Sequence, residues 1–225
     1  MATTDETIAV LGGTGAEGSS LALRLTCAGY TVILGSRSPE KAAKVCAELN
    51  ARARTGSVTY MDNHAAAVAG GIVLLTVPYS AQRVMVEEVR DALTGKILVD
   101  ATVPLVPPKV GRVQLPPGGS AVAAMQQLLG DSVRVVSAFQ NVSAHQLGDL
   151  DHKVDCDVLV CGDNIAARET VIGLAHDMGL RAYHAGPIGN SAAVEALTSI
   201  LISINVRYKV PGAGIRITGM PRGDA

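Results

Sequence analysis

The stretch "TIAVLGGTGAEG" at residues 7–18 decides the fold. Its apolar first half predicts a buried strand, and a G-x-G-x-x-G follows directly and opens a helix predicted over 15–29. We assign Gly13 to a tight turn, Gly15 to the close approach of a pyrophosphate and Gly18 to helix–strand packing. An ordinary glycine-containing turn is the alternative, but the strand before the loop and the helix after it favour dinucleotide binding.

The loop offers the unpaired N–H groups of a helix N-terminus to an anion. Glu17 is an awkward neighbour for a phosphate, so we expect its side chain to point to solvent, its charge partly offset by the helix dipole. The predicted cofactor contacts in the loop are Gly13, Thr14, Gly15, Ala16, Glu17 and Gly18.

The next strand end, "ILGSRSPEK" at residues 33–41, indicates which dinucleotide binds. An acidic residue here would accept hydrogen bonds from a ribose 2′-hydroxyl, whereas this chain has Ser36 and Arg37. A hydroxyl and a permanently charged guanidinium suit a 2′-phosphate, and Thr14 and Lys41 could assist. The pattern predicts NADP(H) rather than NAD; a solvated arginine at a strand end is the alternative.

Alternating strands and helices over the first 102 residues predict an α/β fold with a doubly wound parallel sheet. A proline-rich connection at 103–119 then precedes a helix at 120–129 and the strand "RVVSAFQN" at 134–141. From about residue 150 we predict a small C-terminal α/β unit with helices at 164–178 and 190–208. The predicted domains are 1–149, which binds NADP, and 150–225, which completes the acceptor cleft and a dimer contact.

The composition excludes several classes of function. Lys and Arg total 19 against 20 Asp and Glu, so nothing indicates a nucleic-acid or membrane-surface partner. The N-terminus lacks the basic region of a signal peptide, and no segment has the length and apolarity of a membrane span. The four cysteines and five histidines show no metal-ligand spacing, so we predict no metal and a cytoplasmic location with free thiols.

The carboxyl ends of the fourth and fifth strands should hold the nicotinamide half of the cofactor. The residues predicted there are Thr76, Val77, Pro78, Tyr79, Thr102 and Val103. The segment "AFQN" at 138–141 should border the same cleft. No proton-transfer residue stands out, so catalytic residues stay unassigned, and plain hydride transfer is favoured because the cofactors carry that chemistry.

Seven segments in chain order resemble the F420-dependent NADP oxidoreductases, also called NADPH-dependent F420 reductases. They are "AVLGGTGAEGSSLALRL", "VILGSRSPEKA", "LLTVPYS", "VSAFQNVSA", "DVLVCGD", "AGPIGNSAAVEALT" and "GIRITG". The resemblance implies a Rossmann domain for NADP, a small C-terminal domain, a homodimer, and a cleft in which two cofactor rings stack. Metalloreductases that pass hydride from NADPH to a flavin share the fold.

The resemblance also places the second substrate, coenzyme F420 or a flavin, against Ala138, Gln140, Asn141 and Thr198. Where archaeal members of the family have His, Arg and Ser, this chain has Gln140, Ala192 and Ala196. Two of these changes remove polar or charged groups that a deazaflavin with an acidic tail would use. They favour a smaller or less anionic acceptor, unless Arg83, Lys109 or Arg112 replaces the charge.

Three functions are therefore open from the sequence. The first is an NADP-dependent oxidoreductase that acts on F420 or a flavin-like acceptor. The second is an NADPH-dependent reductase of a small imine or carbonyl compound. The third is a non-catalytic NADP(H)-binding protein. A homodimer is expected because the helix at 190–208 is apolar on more than one face, and the tail "GIRITG" could pair at that contact.

Overall fold

A computed structural model describes residues 6–220 as eight strands and eight helices. The strands are β1 (Thr7–Leu11), β2 (Thr31–Gly35), β3 (Val58–Met61), β4 (Ile72–Leu75), β5 (Ile97–Asp100), β6 (Arg134–Ser137), β7 (Asp157–Gly162) and β8 (Arg181–His184). The helices are α1 (Ala16–Cys27), α2 (Pro39–Arg52), α3 (Asn63–Ala69), α4 (Tyr79–Glu88), α5 (Ala121–Leu129), α6 (Ala144–Gly148), α7 (Ile165–Asp177) and α8 (Ser191–Tyr208).

The strands form one sheet in the order β3-β2-β1-β4-β5-β6-β7-β8. All neighbours from β3 to β6 pair in parallel, and the chain reverses its winding direction between β1 and β4. Alternate residues of β1 pack in the two hydrophobic cores on opposite faces of the sheet. Ile8 and Val10 lie in one core, and Ala9 and Leu11 lie in the other. The predicted doubly wound α/β fold is confirmed.

The helices begin where the sequence supplies capping side chains. The hydroxyl of Ser38 accepts a hydrogen bond from the N–H of Lys41, and Pro39 occupies the first helical position of α2. Asp62 caps α3 in the same way, and Ser120 caps α5 through the N–H of Ala123. These caps place the starts of α2, α3 and α5 just past strands or loops at the carboxyl edge of the sheet.

The C-terminal unit continues the same sheet. β7 runs antiparallel to β6, and β8 pairs in parallel with β7. The C-terminal tail pairs within the chain: the N–H of Asp157 donates to the carbonyl of Ile215, and the N–H of Ile217 donates to the Asp157 carboxylate. The tail therefore lies on β7 of its own chain. The domain boundary at residues 149 and 150 falls between α6 and β7 and stays a prediction.

Arg24, on the buried side of α1, joins the first half of the chain to the second. Its guanidinium donates hydrogen bonds to backbone carbonyls at the end of α6, in the following loop and beyond α7, namely those of Gln146, Leu147, Asp149, His152 and Met178. A buried cation is tolerable only when its donors are satisfied, as they are here. Arg24 therefore secures the segment that follows β6 against α1.

None of the helices within residues 6–220 is both long enough and apolar enough to cross a membrane.

Candidate functional site

Glycine is required in the loop between β1 and α1 for two reasons, the backbone conformation and the close packing of neighbouring atoms. Gly12 has a φ of +77°, so the left-handed turn falls one residue before the predicted position. Gly13 is required for another reason: a Cβ there would lie 2.8 Å from both the Val10 carbonyl oxygen and Leu34. A Cβ on Gly18 would lie 2.5 Å from Oγ1 of Thr76, so only glycine lets α1 pack on the end of β4.

Gly15 faces open space in front of the loop. A Cβ there would meet only the Gly12 carbonyl oxygen, at 3.3 Å, and the N–H of Gly15 already donates to that oxygen. α1 begins at the next residue, so the first amides of the helix point toward this space. This arrangement can take an anion, as the motif predicts.

The expectation that Glu17 points to solvent is wrong. Its side chain is half-buried, and burial raises the pKa of its carboxyl to about 8, with the negative charge of Asp100 adding to the effect. Glu17 occupies the second position of α1, whose first turn is pressed against the end of β4. The side chain therefore turns toward the strand ends, which local sequence could not reveal.

A cavity of about 370 Å³ lies beside the loop, over the ends of β1, β2 and β4. It brings together eight of the predicted cofactor residues: Thr14, Gly15, Ser36, Arg37, Lys41, Thr76, Val77 and Pro78. It also includes residues that sequence reasoning missed: Gly12, Gly35, Ser38, Asn63, Ala81, Val84, Met85 and Glu88. Asn63 lies two residues past the end of β3, at the ligand-binding edge of the sheet, and this position could have identified it.

The β2 end of the cavity carries the basic residues. Arg37 and Lys41 are exposed, and no ion pair engages either side chain within residues 6–220. Ser36 makes a local turn in which its hydroxyl accepts from the N–H of Ser38. Two uncommitted cations beside a hydroxyl can receive a phosphate group without first breaking other contacts.

The ends of β4 and β5 lie side by side, with Leu75 paired to Asp100. Thr76 is held by two hydrogen bonds to the Leu11 carbonyl, and Tyr79 begins α4 outside the lining of the cavity. Thr102 is buried, and its Oγ1 makes no hydrogen bond within the described chain. Val103 is half-buried. The predicted nicotinamide residues therefore gather at one edge of the sheet.

The segment after β6 turns sharply toward β5. Phe139 has a φ of +75°, a strained conformation for a bulky residue, and β6 ends earlier than predicted, at Ser137. The turn directs Gln140 inward, where its Nε2 donates to the Asp100 carbonyl oxygen at 2.7 Å and to Oγ of Ser137. Thr198 of α8 donates to the Gln140 carbonyl oxygen at 2.7 Å.

Two of the predicted acceptor contacts face the protein interior. Ala138 is fully buried in the core. Asn141 donates from Nδ2 to the carbonyl oxygen of Asp157 at 2.8 Å, which ties the segment after β6 to the start of β7. Gln140 and Thr198 lie together, whereas Ala138 and Asn141 support the backbone around them.

Two buried carboxyl groups behind these strand ends were missed from the sequence. Asp100 accepts from Gln82 of α4 at 2.6 Å and from the N–H of Thr102 at 2.9 Å. Glu195 of α8 accepts from the Ser120 hydroxyl and from the N–H groups of residues 121 and 122, so it caps α5. Both residues stand in predicted elements, but only the folded chain shows what they contact.

Comparison with known proteins identifies a family and individual relatives that carry the same description. The family described as "NADP oxidoreductase coenzyme F420-dependent" matches residues 7–104. The F420-dependent NADP reductase of Methanocaldococcus jannaschii is 42% identical over 95% of this chain and 98% of its own length. That of Methanothermobacter thermautotrophicus is 41% identical over 95% of both chains.

A solved structure from Arthrobacter sp. FB24, provisionally named an F420-dependent NADP reductase, has the same fold. Its TM-score is 0.79 at 21% identity, and the match covers 95% of this chain and 99% of that one.

Proposed function

The chain belongs to the F420-dependent NADP oxidoreductase family, and from this membership we propose that it transfers hydride between NADP(H) and coenzyme F420. Its curated relatives are F420-dependent NADP reductases, and the match covers nearly their whole length. What remains to be argued is how this chain's own residues would hold the two substrates.

The observation that carries the proposal is one continuous cavity that joins the glycine loop to Arg37 and Lys41. A dinucleotide needs an anion site for its pyrophosphate, and NADP needs a second one for its 2′-phosphate. The loop amides supply the first site and the two free cations the second. Asn63 fits the same picture, because the residue lines the cavity and its buried Oδ1 makes no hydrogen bond within residues 6–220.

We assign the binding roles accordingly. The first amides of α1 hold the pyrophosphate, with Gly15 allowing its close approach; Ser36, Arg37 and Lys41 hold the 2′-phosphate. The segments after β4 and β5, including Thr76, Pro78, Tyr79, Thr102 and Val103, position the nicotinamide half. When bound, NADPH supplies the hydride, so the protein is required to orient the rings rather than to move a proton.

On the acceptor side we propose Gln140 and Thr198. The hydrogen bond between them joins the segment after β6 to α8, and both lie on the side of the cleft formed by the C-terminal unit. The side chain of Gln140 is held by Asp100 and Ser137, so its amide has a fixed orientation. Ala138 and Asn141 are proposed to act indirectly, by supporting this segment.

The comparisons favour F420 over the other acceptors. The expectation that Gln140 and Ala192 select a smaller acceptor finds no support among the curated relatives, which are reductases for F420. The solved imine reductase from Streptomyces aurantiacus, at 18% identity, shares the fold alone and does not argue for an imine substrate.

The test is NADPH oxidation by the purified protein with F420, FMN, FAD, riboflavin and a cyclic imine as separate acceptors. We expect turnover with F420 at least tenfold faster than with any other acceptor. Turnover of the imine alone would replace the proposal with the second function, and tight NADPH binding without any turnover would indicate a binding protein.

We also propose that the chain acts as a homodimer through the outer face of α8. Ile200 and Ile204 are exposed on this helix, and the proline-rich segment beside it adds the exposed Val113 and Leu115. Exposed apolar side chains on a helix and on the segment beside it indicate a protein contact. Light scattering should give twice the 23.1 kDa chain mass. Ile204→Lys should shift the mass toward the monomer, whereas Val68→Lys on α3 should not.

A further inference from the structure

The buried carboxylate at the end of β5 is an unexplained charge next to the proposed nicotinamide site. Asp100 is fully buried, and within residues 6–220 no cation pairs with it. Burial alone would favour the neutral acid, and it does raise the pKa of Asp100. A lone buried charge is costly, so its retention at this position needs a reason.

The hydrogen bonds around Asp100 indicate that it carries the charge. Oδ1 accepts from a backbone N–H, which can only donate, and Oδ2 accepts from Nε2 of Gln82, whose orientation is set by a second contact to the Ala121 carbonyl oxygen. Both oxygens thus face donors, as a carboxylate requires. Glu17 lies nearby, and burial together with the negative charge of Asp100 raises the pKa of its carboxyl to about 8, so Glu17 holds a proton at neutral pH.

Other charged groups modify this field without cancelling it. Glu195 is a second buried carboxyl group, and burial together with the negative charge of Asp100 raises its pKa. The N-terminus of α5, which has a partial positive charge, is capped by Glu195 and Ser120. Arg37 and Lys41 lie at the β2 end of the cavity, whereas Asp100 lies at the end of β5, three strands along the sheet. The β5 side of the cleft is therefore negative.

We propose that Asp100 shifts the cofactor preference of the cleft toward NADP⁺ relative to NADPH, and so favours hydride donation by NADPH. The inference rests on the proposed function. In that reaction the dihydronicotinamide ring loses a hydride and becomes a cation, while the acceptor gains the hydride and takes one proton from solvent. NADP⁺ and NADPH differ at the ring by this positive charge, and a fixed anion near the ring acts on the difference.

The expected size follows from Coulomb's law. At an effective dielectric constant of about 20 and a separation of about 10 Å, one unit charge changes the affinity ratio of the two cofactors by roughly tenfold. Asp100 is the last residue of β5, and the proposed nicotinamide contacts Thr102 and Val103 lie two and three residues further along the chain, which corresponds to a separation of about this order.

The experiment measures the dissociation constants of NADP⁺ and NADPH by calorimetry for the wild type, Asp100→Asn, Asp100→Ser and Asp91→Asn. Asparagine keeps the shape of aspartate, and its Oδ1 can still accept from the N–H of Thr102. Serine still accepts the hydrogen bond from the N–H of Thr102 and serves if the asparagine variant does not fold. Asp91 is an exposed carboxylate paired with His64, so its variant removes the same charge from the surface.

We expect the ratio Kd(NADP⁺)/Kd(NADPH) to rise about tenfold in both Asp100 variants and to stay unchanged in Asp91→Asn. A purely structural role would weaken the binding of both cofactors equally and leave the ratio unmoved. A ratio within twofold of the wild-type value in a folded Asp100 variant overturns the proposal. Failure of the wild type to bind NADPH at all would instead refute the proposed function.

Discussion

Replacing Arg37 with alanine is expected to weaken NADPH binding while leaving NADH binding nearly intact. Arg37 lines the cavity beside the glycine loop, and no ion pair within residues 6–220 competes for it. Its guanidinium would donate charge-assisted hydrogen bonds to the 2′-phosphate, which NADH lacks. The loss should therefore appear only for the phosphorylated cofactor.

The magnitude follows from the exposure of the side chain. A hydrogen bond to a charged group contributes about 1.5–3 kcal/mol. Arg37 is exposed, so solvent and salt screen the interaction, and the lower end of the range applies, which corresponds to roughly tenfold in affinity. Lys41 is also exposed and is a more flexible cation, so Lys41→Ala should lose about threefold.

The assay is fluorescence titration of NADPH and NADH at fixed ionic strength, with Arg54→Ala as the matched control. Arg54 is an exposed arginine paired with Asp151, so its variant removes the same charge elsewhere on the surface. The NADPH loss in Arg37→Ala should shrink as salt rises from about 0.05 to 0.5 M, because the contact is screened. Equal losses for NADPH and NADH would mean that Arg37 supports the fold instead, and the reasoning would fail.

Three further predictions follow from the same geometry. Gly15→Ala should keep the wild-type melting temperature and lose at least about tenfold in NADPH affinity. Gly18→Ala should in addition lose about 1–3 kcal/mol of stability, because its Cβ, unlike that of Gly15→Ala, collides with Thr76. Equal melting temperatures for the two variants would contradict this. The folded-state pKa of Glu17, about 8, lies above the ordinary 4.5, so the folded protein holds a proton that the unfolded chain releases, and stability falls as pH rises from 4.5 to 8. Glu17→Gln should remove this loss. The side chain is only half-buried, so solvent screens part of the shift, and we expect a loss on the order of 1–2 kcal/mol between about pH 5 and pH 9 in urea denaturation. Identical pH profiles would refute this. Glu195→Ala should cost about 3 kcal/mol, because it leaves the buried N–H groups of residues 121 and 122 without an acceptor, while the Ser120 hydroxyl keeps its contact with Ser191. A cost below about 1 kcal/mol, similar to that of the exposed Glu169→Ala, would refute the capping role.

The sequence by itself determined the class of fold and the kind of cofactor site. The order of strands and helices, the glycine loop and the Ser36–Arg37 pair are local patterns, and each acts through residues close together in the chain. Hydrophobic periodicity indicates which face of a helix or strand is buried. A glycine-rich loop between a strand and a helix indicates where the first backbone amides of the helix point. The parallel sheet, the Ser38 cap of α2 and eight of the sixteen cavity residues could therefore be predicted.

Only the tertiary structure decided how the cleft is charged and supported. The antiparallel direction of β7 depends on how the chain returns after α6, and the inward turn of Glu17 depends on the packing of α1 against β4. The contacts of Asp100 with Gln82 and of Glu195 with the start of α5 join residues 18 and 74 positions apart. Such contacts depend on strand register and on the relative placement of whole helices. No local pattern encodes these, so whether a buried carboxylate keeps its charge becomes clear only when its donors are in place.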